Sequence, residues 1–451
     1  MRRGKLLFLM FSIATCLLVL LAGRLAWAAE KGEELTLEKV LALSEKENPI
    51  LLAADSRVRQ AEGRLVQVES EARPQLYGTL GYQWLDEMPQ TNAYLPDGTV
   101  GIVPLGYKDT AQAALNLTQV IFTGGSLSAK TEASKLLLAT ARSERDRAYQ
   151  SVENGIRRSF FSLQRSVSRL DVAREALSLS KEHLRQVESF YKAGVVAQNE
   201  VLRVQVAVSS SELNRIRAES AVEISWKTLE RLAGHPLKEH FSVRAGDVDL
   251  ENFPVPEDPV SLAMERRPEL KGLETAGKAA LATERAVRGQ VYPQVGLNAQ
   301  ASLTDDHFFP SEEDHWSIGI VAKLRLVDSG KVHGQALEAK AAAEELLNRL
   351  EDLKRQVSLE VATARVNLEA SVQSVKVASD AVARAEEDYR MALKRYQAQV
   401  GTNIDVLDAR LALTDARNSL TDAVAEARTA YGDLLFAMGD LRVLEKKEAT
   451  R

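Results

Sequence analysis

The fold is decided by residues 126–193, which read SLSAKTEASKLLLATARSERDRAYQSVENGIRRSFFSLQRSVSRLDVAREALSLSKEHLRQVESFYKA. This stretch contains no proline and is rich in Ala, Leu, Glu, Arg and Ser. Proline breaks a helix because it lacks the backbone N–H and clashes with the preceding turn, so its absence permits a very long helix. A single helix over 126–193 would be about 100 Å long. A short break and a return helix over 199–232 would complete an antiparallel hairpin.

A second hairpin of the same kind is predicted in the second half of the sequence. None of the 12 prolines follows Pro310, which permits a helix from 331 to about 399 and a return helix over 405–438. Apolar residues recur in the first of these helices at spacings of three and four, which is typical of a coiled-coil seam. The seam consists of Leu346, Leu350, Leu353, Val357, Val361, Ala364 and Leu368, and continues with Tyr389, Leu393, Tyr396 and Val400.

The two halves of the chain resemble each other. Residues 191–202 match residues 396–407 at a shift of 205, whereas Pro74 matches Pro293 at a shift of 219. The shift thus changes by 14 positions. This change falls in the segment that joins the two candidate strands of each half, as expected for a duplication with a variable loop. We therefore divide the sequence into a first repeat at 29–234, a connecting segment at 235–258, a second repeat at 259–441 and a C-terminal tail at 442–451.

Two segments of each half alternate apolar and polar residues. The apolar set is Leu76, Leu80, Tyr82, Trp84, Ala111, Ala113, Leu115 and Leu117 in the first half, and Val295, Leu297, Ala299, Ala301, Leu303, Trp316, Ile318, Ile320, Ala322, Leu324 and Leu326 in the second. A period of two over about ten residues matches strands that cross a membrane with one apolar face. An ordinary half-buried hairpin is the alternative.

Four strands cannot close a barrel, and an open sheet edge is not tolerated in lipid. Closure of a membrane barrel would therefore need several copies of the chain. Two copies would give eight strands, with an interior filled by side chains, and three would give twelve, with room for a lumen.

Residues 1–28 have the pattern of a secretory signal peptide. Arg2, Arg3 and Lys5 precede an apolar run, and Ala26-Trp27-Ala28 offers a cleavage site. An uncleaved membrane anchor is the alternative. Removal of this segment would change the formal net charge from −5 to −9, because it carries four basic and no acidic residues. A chain of that charge is a poor nucleic-acid binder, so no nucleic-acid partner is expected.

Several functional classes have no support in the sequence. The single Cys excludes a disulfide framework and a thiolate zinc site. There is no phosphate-binding loop, nucleophile elbow or paired catalytic acid, so we expect no enzymatic activity, no cofactor and no metal site. The acidic loop at Asp305, Asp306, Glu312, Glu313 and Asp314 is expected to be a solvated extracellular loop, and a divalent-cation site there is the alternative.

Three motifs accompany the predicted order of elements: VGTNIDVLDA at 400–409, FTGG at 122–125 and AGV at 193–195. In the order of its elements and in these motifs, the chain resembles the TolC family of outer-membrane efflux proteins. Two positions depart from the pattern. Gln399 stands where the shift of 205 places Gly194, and Val327-Asp328-Ser329-Gly330 lacks the paired glycine of the first junction.

The resemblance implies a mainly α protein with membrane β-structure. Internally duplicated coiled-coil hairpins and four strands per chain would form a homotrimer with a twelve-stranded β-barrel and an α-helical tunnel. The barrel would lie in outer-membrane lipid of a Gram-negative bacterium, and the tunnel in the periplasm. The implied function is the exit duct of a tripartite efflux or type I secretion system. Its partners would be a periplasmic adaptor (membrane fusion protein) and an inner-membrane pump of the RND or ABC type.

The alternative function is a periplasmic coiled-coil adaptor or scaffold of an export complex. An adaptor would carry one hairpin between split β domains. This chain carries two hairpins, each preceded by an alternating strand pair, which argues against that alternative.

The resemblance also assigns roles to individual residues. Asp405 and Asp408 match the acidic constriction of the tunnel, and their spacing of three puts them on one helix face. The exposed tips at Gly194, Val195, Val400, Gly401 and Thr402 would dock the adaptor, and Gly124, Gly125 and Gly330 would bend the chain from barrel to tunnel. The alternatives are structural: Asp405 could cap the return helix, and the glycines could simply end helices.

Overall fold

The computed structural model describes residues 35–96, 98–104, 108–237, 253–305 and 313–440. The predicted signal peptide, most of the connecting segment, the centre of the acidic loop and the C-terminal tail lie outside these ranges. Within them, every helix falls short of the combination of length and apolarity needed to cross a membrane.

The described residues form eight α-helices and six strands. The helices are α1 (Leu37–Glu47), α2 (Pro49–Ser70), α3 (Ser126–Lys192), α4 (Gln198–Ala233), α5 (Pro259–Arg266), α6 (Pro268–Arg288), α7 (Lys331–Gln397) and α8 (Asn403–Ala437). The strands are β1 (Gln75–Trp84), β2 (Gln90–Tyr94), β3 (Val100–Pro104), β4 (Asp109–Phe122), β5 (Gln294–Asp305) and β6 (Glu313–Lys323). A short 3₁₀ helix, Gly289–Val291, follows α6.

The predicted hairpins and the internal duplication are both present. Helices α3 and α7 each contain 67 residues and begin at Ser126 and Lys331, which are 205 positions apart. The return helices α4 and α8 begin at Gln198 and Asn403, again 205 apart. All four helices begin and end within two residues of the predicted positions. The repeat therefore keeps one register from the start of the long helix to the return helix.

The four predicted strands form one antiparallel sheet in the order β1-β4-β5-β6. Strands β1 and β5 begin 219 positions apart, which is the upstream shift of the repeat. The additional residues of the first half lie between β1 and β4, where β2 and β3 pair as a separate two-stranded sheet. This small hairpin is absent from the sequence prediction because two runs of five residues are too short to show a reliable alternation.

The chain divides into two compact units. The first, here called the helical unit, contains the described parts of Met1–Leu52, Ala148–Arg266 and Val357–Arg451. The second, the sheet unit, contains Ala53–Arg147 and Arg267–Gln356. Each unit contains segments of both repeats.

The core of the helical unit is made by the apolar stripes of its helices. The completely buried side chains of Val40, Ile156, Leu163 and Leu229 belong to one cluster. The predicted seam of α7 is buried at Val357, Val361, Ala364, Leu368 and Tyr396. Val400, predicted to continue that seam, is instead exposed, because α7 ends at Gln397 and the chain turns before Val400.

Candidate functional site

The first tip, residues 193–197, joins α3 to α4 through a turn with a left-handed residue. Gly194 has φ 74°, and its N–H donates to the carbonyl of Tyr191 at 2.9 Å. The N–H of Val195 donates to the carbonyl of Phe190, also at 2.9 Å. This pair of bonds is the Schellman motif, which satisfies carbonyls left open at the end of a helix.

The second tip, residues 398–402, repeats this turn without glycine at the left-handed position. Gln399 has φ 61°, its N–H donates to Tyr396 O at 3.0 Å, and the N–H of Val400 donates to Arg395 O at 3.0 Å. Each bond lies 205 positions from its counterpart at the first tip. A non-glycine residue in this region costs about 1–2 kcal/mol. The departure at Gln399 therefore leaves the turn geometry unchanged and stores a small strain.

Both tips present apolar side chains to the outside. Val195 is 47% exposed and Val400 is 69% exposed. Apart from its chain neighbours, no described residue has an atom within 4 Å of the position that a Cβ on Gly194 would occupy. Gly401 is more confined, because a Cβ there would lie 3.0 Å from the Cβ of Arg395.

Helix α8 begins with a capping box that involves Thr402 and Asp405. The N–H of Asp405 donates to Thr402 Oγ1 at 3.2 Å, and the N–H of Thr402 donates to Asp405 Oδ2 at 3.0 Å. The hydrogen bond that the carboxylate accepts from the Thr402 backbone, followed by one with the Thr402 side chain, lowers the pKa of Asp405 below its ordinary value of 3.8. Asp405 and Asp408 are both exposed, one turn apart on α8. The capping role of Asp405 is thus present in the structure.

A buried polar layer behind the tips was missed by the sequence prediction. His183 Nε2 lies 2.7 Å from Asn403 Oδ1, and Arg410 Nη1 donates to Ser211 Oγ at 3.0 Å. Ser211 Oγ also lies 2.9 Å from Ser180 Oγ. The available signal was polar residues at seam positions, since Ser180 and His183 share a face of α3 with the buried Val187.

The sheet separates an apolar face from a polar one across all four strands. The strand register brings Leu76, Leu117, Ala299 and Ile318 into one row, and the adjacent row contains Tyr77, Asn116, Gln300 and Ser317. The apolar face is open to the outside, with Leu80 88% exposed and Trp316 78% exposed. The predicted alternation is confirmed within the strands, but Leu324 and Leu326 lie beyond the end of β6 at Lys323, so the last predicted strand is too long at that end. The apolar side of this sheet has no covering layer within the chain's described residues.

The two edges of this sheet are β1 and β6. In the described chain β1 pairs only with β4, and β6 pairs only with β5. Both edge strands are ten or more residues long, so each leaves a row of backbone groups available for a further strand.

The strand-to-helix junctions, residues 123–125 and 328–330, share one backbone conformation. Gly124 and Gly125 have φ 60° and 81°, and Ser329 and Gly330 have φ 52° and 86°. In both junctions a side-chain oxygen accepts from the first turn of the long helix: Thr123 Oγ1 from Leu127 N at 3.1 Å, and Asp328 Oδ2 from Val332 N at 2.9 Å.

Glycine is required more strongly at the first junction than at the second. A Cβ on Gly124 would lie 2.4 Å from Tyr292 Cβ and 2.5 Å from Gly289 O. Among the residues that the structure describes, and leaving out the chain neighbours of Gly330, the corresponding point at Gly330 has nothing within 4 Å. The positive φ alone therefore accounts for glycine at Gly330, whereas close packing adds to it at Gly124.

Comparison with known proteins places this geometry in a family. The family model described as "Outer membrane efflux protein" matches residues 40–235 and 260–440. The toluene efflux pump outer membrane protein TtgC of Pseudomonas putida is 21% identical over 258 residues, which are 56% of this chain and 53% of TtgC. The chain thus aligns with about half the length of the curated relatives that it matches.

The fold is also similar to solved structures over most of its length. The outer membrane protein VceC from Vibrio cholerae has a TM-score of 0.74 and 21% identity, over 90% of this chain and 97% of VceC. The CmeC outer membrane channel from Campylobacter jejuni has a TM-score of 0.76 and 18% identity, over 92% of this chain and 88% of CmeC. Because the family model covers both repeats and both hairpins, the chain belongs to the outer membrane efflux protein family.

Proposed function

We propose that this chain is the outer-membrane exit duct of a tripartite efflux or type I secretion system. The observation that carries the proposal is the four-stranded sheet with one exposed apolar face and one polar face. Such a sheet suits contact with lipid on one side and with a polar lumen on the other. Membership of the outer membrane efflux protein family supports the same function and the same location.

The functional assembly is proposed to be a homotrimer. Three copies of the sheet would pair β1 of one copy with β6 of the next and close a barrel of twelve strands, which removes both open edges. Helices α4 and α7 also expose apolar side chains that a neighbouring copy would cover. These are Leu202, Val206, Leu213, Ile216 and Ile224 of α4, and Leu359, Val366 and Val377 of α7.

Asp405 and Asp408 are proposed to form the tunnel constriction. In a trimer each carboxylate would be repeated three times around the axis, and rings of carboxylates at a narrow mouth favour cations. The capping box is compatible with this role, because Asp405 remains exposed while its Oδ2 accepts from Thr402.

The two tips are proposed to dock a periplasmic adaptor, which would connect the duct to an inner-membrane pump of the RND or ABC type. The docking residues would be Gly194, Val195, Val400, Gly401 and Thr402. Exposed valines beside tight turns offer an apolar contact for a partner's helical hairpin. The glycines of the junctions would turn the chain from strand to long helix.

The same proposal includes a cleaved signal peptide at 1–28, repeats at 29–234 and 259–441, and no enzymatic step. A periplasmic adaptor is the second candidate, and no feature of the sheet favours it. An adaptor has no need for an apolar sheet face that lacks a covering layer.

Heat-modifiable migration and bilayer conductance test the proposed duct. The purified protein should migrate as a trimer in detergent before boiling and as a monomer afterwards, and it should produce single-channel currents in planar bilayers. A monomer that stays soluble without detergent and gives no current would contradict the proposal and favour the adaptor.

A further inference from the structure

His183 connects the two helical hairpins from a buried position. The side chain lies on α3 and is 2% exposed, and its Nε2 is 2.7 Å from Oδ1 of Asn403, which is 4% exposed. Asn403 is the first residue of α8, and its Nδ2 also lies 3.5 Å from the carbonyl of Glu200 in the first turn of α4. One side-chain pair thus joins the first hairpin to the start of the second return helix.

The groups that face His183 come from all three other helices of the hairpins. Tyr396 of α7 makes an edge-on ring contact, with centroids 5.3 Å apart and an interplanar angle of 66°. Arg410 of α8 is close enough to disfavour a positive imidazole, and Glu200 of α4 favours one. Tyr396 stays neutral, because burial raises its pKa to about 12.

The hydrogen bond identifies the neutral form of the imidazole. Because Asn403 presents its carbonyl oxygen, Nε2 of His183 is the donor and carries the proton. Nδ1 then has a lone pair, and within the described residues it is buried without a hydrogen-bond partner. Protonation of Nδ1 would create a buried positive donor with nothing to accept its hydrogen, which costs free energy.

We propose that the His183–Asn403 contact is a pH-dependent switch, closed when the imidazole is neutral and opened when it is protonated. Opening would release the N-terminus of α8 from α3 and expose the polar layer behind the second tip. The contact lies within one chain, so the switch stands apart from the export function.

The direction of the pH dependence follows from the buried position. Burial is the largest cause that lowers the pKa of His183 below its ordinary value of 6.5. The positive charge of Arg410 lowers it further, whereas the hydrogen bond that His183 donates to Asn403 acts in the opposite direction. The opened state, with a solvated imidazole, therefore binds a proton more tightly than the closed state. The contact is complete well above pH 6.5 and is weakened as the pH falls through 6.5 towards the lowered value.

Hydrogen–deuterium exchange on the full-length protein, in detergent or lipid vesicles, tests this switch. After correction for the intrinsic pH dependence of exchange, peptides that cover 184–200 and 398–408 should exchange several-fold faster at pH 5.5 than at pH 7.5. His183→Gln keeps an amide donor for Asn403 without a titratable group, so this variant should lose the difference. The matched control is His333→Gln, which removes an exposed imidazole of α7 and should retain the wild-type response.

The imidazole titration gives a second test that does not depend on how well His183→Gln folds. In protein labelled at histidine, the His183 resonance should titrate with a midpoint below 6.5. Asn403→Asp places a carboxylate against Nε2 and should move that midpoint upward and suppress the fast exchange at pH 5.5.

Two results would contradict the proposed switch. One is a pH dependence of exchange in His183→Gln that equals that of the wild type, and the other is a titration midpoint of the wild-type His183 resonance at or above 6.5. Neither measurement uses conductance. Loss of channel currents with an intact exchange response would therefore contradict the proposed duct alone.

Discussion

Gly194 and Gln399 occupy equivalent left-handed positions in the turns of the first and second tips, 205 residues apart, with φ 74° and 61°. The following N–H donates at 2.9 Å in the first tip and 3.0 Å in the second. The second tip thus keeps the turn of the first although its residue type is unfavourable for it. The two hydrogen bonds of the second tip, which match those of the first tip, hold Gln399 in this conformation.

Gln399→Gly should stabilise the second tip by about 0.5–1 kcal/mol, because relief of the Cβ clash in the left-handed region is only partly offset by the larger conformational entropy that glycine loses on folding. The measurement is hydrogen exchange of residues 395–402 at pH 7.5, where His183 is neutral. Gln397→Gly is the control: it places glycine in the last helical position of α7 and should accelerate exchange. Equal effects of the two substitutions would show that Gln399 is not strained.

Thr402→Ala should destabilise the start of α8 by about 1 kcal/mol, because it removes the side-chain acceptor for the N–H of Asp405. Thr402→Ser keeps a hydroxyl and should behave as the wild type. Local exchange of residues 403–410 measures both. If Thr402→Ala and Thr402→Ser exchange alike, the Thr402 hydroxyl contributes nothing to the stability of this helix end.

The stability that this capping box gives to the start of α8 depends on pH in the acidic range. The pKa of Asp405 lies below 3.8 because the carboxylate accepts from Thr402, so its contribution is complete above 3.8 and is lost as the pH falls through the lowered value. In the His183→Gln background, and after correction for the intrinsic pH dependence of exchange, residues 403–410 should exchange equally fast at pH 7 and pH 5 and faster below pH 4. A rise that is already complete at pH 5 would assign the effect to another group.

Combined Asp405→Ala and Asp408→Ala should raise the single-channel conductance and weaken cation preference, because the proposed rings of carboxylates would be lost. Planar bilayers with asymmetric salt give both quantities. Thr402→Ala is the control, since it weakens the cap but leaves the carboxylates in place. Unchanged conductance and selectivity in the double variant would remove these residues from the constriction.

Ile320→Lys should destabilise the membrane-inserted state by about 2–4 kcal/mol, because the side chain lies on the apolar face of β6. Ser317→Lys, on the polar face of the same strand, should have little effect. Denaturant titration in lipid vesicles compares the two. A larger loss for Ser317→Lys would reverse the assignment of the faces.

The long helices could be predicted because the relevant signals are local. The absence of proline over 126–193 and the seam at Val357, Val361 and Leu368 act within a few turns of one helix. The strand faces were also predictable, since alternation fixes which side chains share a face before any partner strand is known. These local patterns set the bounds of α3, α4, α7 and α8 to within two residues.

The rest depends on contacts that no local pattern contains. His183 meets Asn403 across 220 positions of the sequence, and only the packing of both hairpins brings the two residues together. The hairpin β2–β3 depends on the pairing of two five-residue runs. The left-handed backbone of Gln399 is likewise set by its hydrogen-bonded turn, since glutamine carries no preference for it.

The equal lengths of α3 and α7 reflect a constraint on changes in the length of either helix. Deletion of one residue from either helix would rotate every later side chain of that helix by about 100° and turn buried seam residues towards water. We therefore expect selection against insertions and deletions in both helices. The segment between β1 and β4 contains no coiled-coil seam. The change of 14 positions in the shift between the repeats falls there, which indicates where length variation has been tolerated.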